Sequence, residues 1–392
     1  MERTKNCIKK LERMNKTIRF EGPDQVPIRD DFWAKFIDNW RDVFGLPTDA
    51  DICKYYDFDY MVTLPNSDPH IQDFEILKTN DEETILKTGF GATIHKKVAY
   101  QMPQWIEFET DTIEKMNAFE FDDPWDDRRY FSEGDHQIAG IEENFTRDIS
   151  AWVDDVKLLY PEFPVYGSVC EAYEMLWRII GSENALLWIG LYPDEIGRFV
   201  ERINEFALEL LKAQFKAADG MLDGVIVWGD VAYDKGMLFS PDFWRRHFKD
   251  GVKAMVDFCH EQGVPFMYHG CGAVHAIFED FIEMGVDCYH PLEAKAGFDV
   301  VDLRRQYGRK IAFCGNMNVI DWAQAPMDEL DEIVLTKLNA AKGGGWIFQS
   351  DNAVPNTITP ERYDHVVNFV RRHSKSPMNL GKCDIPDMSC RH

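Results

Sequence analysis

The sequence contains no apolar run of about 18 residues, the length a membrane-crossing helix requires. Its first residues, "MERTKNCIKKLERMNKTIRFEG", are charged throughout and lack the apolar centre of a signal peptide. Basic residues are scarce: 43 Lys and Arg stand against 68 Asp and Glu, a net charge of −25. That balance excludes a broad basic face, and with it unspecific binding to nucleic acid or to anionic membranes. It also disfavours a substrate rich in carboxylates unless a local basic pocket overrides the field. No GxGxxG follows a strand and no Walker pattern occurs, which removes the common dinucleotide and P-loop signatures. The nine cysteines are odd in number and lack framework spacing. They read as reduced thiols of a cytoplasmic protein.

What is present is a large apolar share and a rhythm. Hydrophobic residues make up 45% of the 392, enough for a large core. Residues 1–20 have the pattern of an amphipathic helix, and "GPDQVPI" follows as an extended entry segment. "DYMVTLP" is a strand candidate, and residues 82–102 alternate about Gly89 and Gly91 as a β-hairpin would. Residues 109–160 are strongly acidic and read as solvated surface with a helix or two.

From residue 164 short β-rich runs alternate with helical stretches. The runs are "FPVYGSV", "DGVIVWGD", "VPFMYHG", "VDCYHPL", "KIAFCGN" and "GWIFQSD". One long helix is expected over 194–218 and another over 241–263, ended by Gly263. Strands alternating with helices imply a parallel sheet. Seven strand candidates come close to the eight of a (β/α)8 TIM barrel, and an open doubly wound sheet is the structural alternative. The expected organisation is one barrel domain over residues 1–380, with an N-terminal helical extension and a β-hairpin insertion. Residues 66–160 are mostly insertion and surface helices, and 381–392 an irregular tail.

In a barrel, chemistry collects at the C-terminal ends of the strands. The residues there are polar: Asp230, then His269 and Cys271, then His290 and Glu293, then Cys314 and Asn316, then Ser350, Asp351 and Asn352. His269 and Cys271 are two apart and face the same way on a strand. Imidazole plus thiolate suits zinc, with Cys314, Glu293 or Asp351 as further ligands. The bland alternative is a structural histidine beside small buried thiols. Asp230 suits a general base, a substrate anchor, a metal ligand or a loop cap. His290 reads as structural, and "AKGGGW" as a tight turn into the last strand.

These strand-end segments, above all "DGVIVWGDVAYDKGMLFSPDFWRRHF", "VPFMYHGCGAVHAIFEDF", "KIAFCGNMN" and "GGGWIFQSDNAVP", resemble the uroporphyrinogen decarboxylase superfamily. The resemblance implies a (β/α)8 barrel and two kinds of activity. One is cofactor-free decarboxylation, marked by arginines and a GRY motif near the N-terminus. The chain has Arg29 and Arg41 there but no GRY. The other is methyl transfer to the cobalt of a corrinoid (cobalamin) carried by a partner protein, with zinc as Lewis acid on the substrate heteroatom. "HGC" matches the first ligand pair of the zinc enzymes, whereas "FQSDNAVP" stands where they carry a later cysteine.

The resemblance thus implies zinc on His269 and Cys271, completed by Glu293 and Cys314. Asp230 and His269 are the expected catalytic groups, and Asp230, Asn316 and Asp351 the expected substrate contacts. The substrate is a small methylated molecule, such as an aromatic methyl ether. A metal-free decarboxylase or lyase using Lys235 or Lys295 is the alternative, and a non-catalytic binding protein the third reading.

Overall fold

The computed structural model describes residues 1–71, 75–97, 102–132, 151–375, 385–386 and 388–389. Most of the 381–392 tail therefore lies outside the described residues.

Seven parallel strands form one curled sheet: β1 (Met61–Val62), β6 (Val165–Cys170), β7 (Gly224–Trp228), β10 (Phe266–His269), β11 (Cys288–His290), β12 (Ala312–Cys314) and β13 (Trp346–Ile347), in that order. All seven strand candidates are thus present. Their cores are apolar nearly without interruption, as strands covered on both faces must be.

The entry segment occupies the remaining gap. The Phe348 N–H donates to the Pro27 carbonyl at 2.9 Å, and the Arg29 N–H to the Phe348 carbonyl at 3.2 Å. On its other side the Ile28 N–H donates to Asp59 Oδ2 at 2.7 Å, and the Asp59 N–H to the Ile28 carbonyl at 2.9 Å. Residues 27–29 therefore bridge the first and last strands and close the barrel. Pro27 offers no N–H and Asp59 bonds through its side chain, so this seam carries no regular ladder.

Alternate strand residues point inward. Tyr60, Tyr166, Ile226, Met267, Cys288, Ala312, Cys314 and Ile347 form the barrel interior. Met14 and Ile18 of the helix Lys5–Ile18 join this cluster and close the N-terminal end. Chemistry is left to the opposite end.

Two elements differ from expectation. The hairpin is the middle of a four-stranded antiparallel sheet: β2 (Glu75–Thr79), β3 (Glu83–Lys87), β4 (Ala92–Lys97) and β5 (Gln104–Phe108). Trp105 of β5 packs edge-on against Trp177 at 5.2 Å, which docks the sheet on the helix Ala172–Ile180 after β6. The expected helix over 241–263 is two, Pro241–His247 and Lys249–Glu261. Asn204 Nδ2 donates to the His247 carbonyl at 3.0 Å and so takes an acceptor the next helical turn would use. The second helix ends as expected, with Gly263 at φ +76°.

The seam also buries Asp30. Its carboxylate accepts from the Ser350 N–H at 2.9 Å, from the Ser350 hydroxyl, and from the Tyr363 hydroxyl at 2.9 Å. Burial outweighs these donors and pushes the Asp30 carboxyl up from 3.8 to about 7. Between these two values the folded chain keeps a proton that the unfolded chain has lost. Stability from this group therefore falls as pH rises through the window and levels off above it. Asp30→Asn removes that dependence. Relative to wild type, its melting temperature is expected to rise with pH from about 4 to 7 and then stay level. A difference constant across the range in parallel thermal melts would contradict this assignment.

Candidate metal centre at the barrel mouth

Strands β7 and β10 pair in register, with Trp228 opposite His269, and β10 and β11 likewise with His269 opposite His290. Three inward side chains therefore meet at the last rung of the barrel. Beyond it the chain turns sharply through Gly270, Cys271 and Gly272. Every amide of that turn has a partner. The Gly270 N–H continues the ladder to the His290 carbonyl at 2.9 Å. The Cys271 N–H donates to Asp230 Oδ1 and the Gly272 N–H to Glu293 Oε2, both at 2.7 Å. The Ala273 N–H donates to the Tyr233 carbonyl at 2.8 Å. Two carboxylates from neighbouring strand ends thus grip successive amides and fix where the Cys271 thiol stands.

Gly272 is required here. It sits at φ +84°, and a Cβ would lie 2.6 Å from the Ala232 carbonyl carbon in the hairpin of β8 (Ala232–Tyr233) and β9 (Gly236–Met237). Gly272→Ala is expected to cost about 1–3 kcal/mol. Thermal unfolding measures it, and an unchanged melting temperature would contradict the close approach.

Among the described residues, Asp230, His269 and Cys271 are the one group of three whose ligand atoms lie within 4.8 Å of one another. His269 Nε2 stands 3.4 Å from Asp230 Oδ1 and 3.6 Å from Cys271 Sγ. A tetrahedron built with zinc bond lengths of about 2.0–2.3 Å has N···O and N···S edges of about 3.4 and 3.6 Å. The donor set and its spacing fit zinc. The site is recessed yet open, with 13% of the His269 side chain and 43% of that of Asp230 exposed.

The surroundings set the charges. Burial would raise the Asp230 carboxyl, but the hydrogen bond and charge of His269 and the Cys271 amide hold it below its ordinary value. Burial and the nearby Asp230 and Glu293 carboxylates push the Cys271 thiol well up, so a thiolate there calls for a cation. The His269 ring lies 4.5 Å from the Trp228 ring, and its Nδ1 is 2.7 Å from His290 Nδ1. Burial, His269 and Arg29 push His290 well below its ordinary value, so it is neutral. Behind Asp230, Glu174 Oε1 accepts the Asp230 N–H at 3.3 Å and pairs with Arg178. Glu171 is fully buried, and burial raises its carboxyl to about 8.

The other expected site residues are placed elsewhere. Cys314 lies in the closed interior on β12, two strands from β10, or about 10 Å at usual strand spacing. Its thiol donates to Gln349 Oε1 at 3.1 Å and faces the Tyr60 hydroxyl at 3.9 Å. Glu293 borders the site through the Gly272 amide and pairs with Lys295 at 3.1 Å, outside the ligand group. Asn316 is buried with both ends committed. Its Oδ1 accepts from the Val300 N–H and Lys337 Nζ, and its Nδ2 donates to the Leu292 and Phe298 carbonyls. Asp351 accepts from the Ala294 and Val319 amides, both at 3.0 Å. Asn316 and Asp351 tie the loops around the mouth together through these bonds. Trp228, Glu174 and Gln349 were not singled out from sequence. The inward parity of Trp228 with His269 is the signal that reaches the first of them.

A methyltransferase from Methanosarcina mazei has the same fold, with a TM-score of 0.61 at 13% identity over 93% of this chain and 98% of its own. A B12-independent methionine synthase from Shewanella sp. W3-18-1 matches in part, with a TM-score of 0.36 at 14% identity over 58% of this chain and 68% of its own. No curated protein sequence matches the chain. No helix among the described residues is long and apolar enough to cross a membrane. The sequence profile described as Uroporphyrinogen decarboxylase (URO-D) matches residues 143–373, more than half of the chain, which therefore belongs to that family.

Proposed function

We propose that this protein is a methyltransferase that takes a methyl group from a small methylated substrate and passes it to the corrinoid cobalt of a partner protein. The observation that carries the reading is the Asp230–His269–Cys271 group, with oxygen, nitrogen and sulfur donors at the edge lengths of a zinc tetrahedron. Bound there, zinc supplies Lewis acidity at the oxygen or sulfur that releases the methyl group. The protein's own part is placement. The Cys271 and Gly272 amides, held by Asp230 and Glu293, fix the thiol at the end of β10. The Trp228 ring walls one side of His269 and keeps solvent from it. The methyltransferase from Methanosarcina mazei that shares this fold carries a name in keeping with this reading.

The metal-free decarboxylase reading needs a free cation in the mouth to hold a carboxylate. Arg29 is buried there but gives both terminal nitrogens to Asp31, at 2.5 and 2.6 Å. Arg178 pairs with Glu174 and Lys295 with Glu293, while Lys235 lies exposed at the turn of the β8–β9 hairpin. Arg41 bonds the Ala50 carbonyl. The mouth is dominated by carboxylates, which suits a neutral or cationic substrate.

The deciding experiment offers the zinc-loaded protein reduced cobalamin and a panel of methyl ethers and methylated thiols. Growth of the methyl–cobalt absorption with at least one substrate is expected. Carbon dioxide release from small acids without any methyl transfer would replace this reading with the decarboxylase.

A further inference from the structure

At the seam one hydroxyl stands between two acceptors. Ser350 Oγ lies within hydrogen-bond reach of Asp30 Oδ1 and, at 2.5 Å, of the Asn352 carbonyl. A serine has one hydroxyl proton, and a carbonyl oxygen only accepts. An ionised Asp30 takes that proton in a charge-assisted bond and leaves the Asn352 carbonyl facing a bare oxygen. A neutral Asp30 satisfies both contacts. Its own proton goes to Ser350 Oγ, and the Ser350 hydroxyl then donates to the Asn352 carbonyl. The place of the acid proton follows as well. Tyr363 gives its one hydroxyl proton to Asp30 Oδ2 at 2.9 Å, so the acid proton belongs on Oδ1. The Ser350 N–H still donates to Oδ1 at 2.9 Å.

We infer that a proton on Asp30 Oδ1 latches the Ser350–Asn352 turn to the barrel seam, and that loss of this proton releases the turn. From Asn352 the latch reaches the mouth. Asn352 Nδ2 donates to Glu293 Oε1 at 3.3 Å, and Glu293 Oε2 accepts the Gly272 N–H at 2.7 Å. Lys295 also holds Glu293 Oε1, at 3.1 Å, so that carboxylate stays paired when the turn is released. Asp30 itself is 2% exposed. Tyr363 faces it from the helix Pro360–His373, Cys53 from the helix Ile52–Tyr55 and Cys314 from β12. Burial raises all three, so they keep their protons around neutral pH. On the same segment Asp31 is paired with Arg29. With the Asp30 carboxyl raised to about 7, the latch is closed in mild acid and opens in mild base. It needs neither metal nor substrate.

Infrared spectroscopy and hydrogen exchange on the metal-free protein test this. A buried carboxylic acid has a C=O stretch that a carboxylate lacks. Wild type is expected to show such a band in mild acid, fading as pH rises through about 7. Glu171 is raised too, to about 8, so the Asp30 band is identified by difference. Asp30→Asn abolishes it. Ser350→Ala removes the acceptor of the acid proton and moves the band to higher frequency. Either variant identifies the band if the other does not fold. The amides of residues 350–354, corrected for intrinsic rates, are expected to exchange about 5- to 10-fold faster above the transition than below it, the worth of one hydrogen bond. Asp30→Asn shows no such step, and Ser350→Ala shows the faster exchange at every pH.

A wild-type spectrum without an Asp30 acid band would overturn the latch, as would a band that Ser350→Ala leaves unmoved. A band that titrates with no step in exchange would overturn the release of the turn. Failure to bind zinc would sink the metal reading and leave the latch standing.

Discussion

Cys271→Ala is expected to reduce bound zinc from about one per chain to near zero, whereas Cys314→Ala leaves the metal in place. The two thiols differ in what surrounds them. Cys271 faces a carboxylate and an imidazole nitrogen within 4.8 Å. Cys314 is shut in the interior with Tyr60 and Gln349, and burial pushes its thiol up. Among the described residues, Cys314 belongs to no group of three ligands that could share a cation. Losing Cys271 removes the one thiolate of the set, the group that binds zinc most strongly. The substitution spares the fold, because Asp230 grips the Cys271 backbone amide and not its side chain. Asp230→Asn keeps that grip through its amide oxygen but loses the charge, so an intermediate weakening is expected. Elemental analysis of the purified proteins and chelator competition measure all three. Zinc retained in Cys271→Ala and lost in Cys314→Ala would invert the assignment. Zinc absent from wild type even after loading would remove the centre altogether.

Much of the fold was legible because strand bodies and helix faces obey local periodicities. Each of the seven β-rich runs contains a strand, since a parallel strand buried on both faces is written as a short apolar run. The eighth position was hidden. "VPI" is short, carries a proline and pairs through the Asp59 side chain, so neither length nor alternation marks it. The break at Phe248 was also illegible, because its cause, Asn204, lies on a different helix.

In the site, the spacing of His269 and Cys271 was readable as two residues on one face. Asp230 was readable as a polar strand end, although its place as the third member of the group was not. Cys314 and Glu293 show the limit. Sequence gives the strand end on which a residue sits but neither its depth in the barrel nor the number of strands between it and the centre. The sequence marks His290 only as a structural histidine. Its contact with His269 follows from register between neighbouring strands, which a single sequence does not display.

The largest loss of stability is expected far from the mouth, at Arg304. This guanidinium is fully buried beneath the barrel, stacked between Phe20 at 4.7 Å and Phe313 at 4.5 Å. It donates to the carbonyls of Ala340 at 3.2 Å and Ile311 at 3.1 Å, and to those of Gly308 and Gly345. One side chain therefore ties the helix Val300–Tyr307 to the start of β12 and to the turn before β13. Burial lowers its pKa to about 9, yet it stays charged at neutral pH, held by carbonyl oxygens and two aromatic faces.

Arg304→Met fills part of the volume but leaves buried carbonyls without donors. Gly345 alone keeps a ladder partner among those named, the Phe313 N–H at 2.9 Å. The expected cost is about 3–5 kcal/mol, seen as a fall in melting temperature of about 5 °C or more. Because the damage lies at the end of the barrel opposite His269, the folded fraction at low temperature is expected to bind zinc as tightly as wild type. Chelator competition below the transition tests that separation. A variant as stable as wild type would show that the carbonyls find other donors. A stable variant with weakened metal binding would show that the two ends of the barrel are coupled.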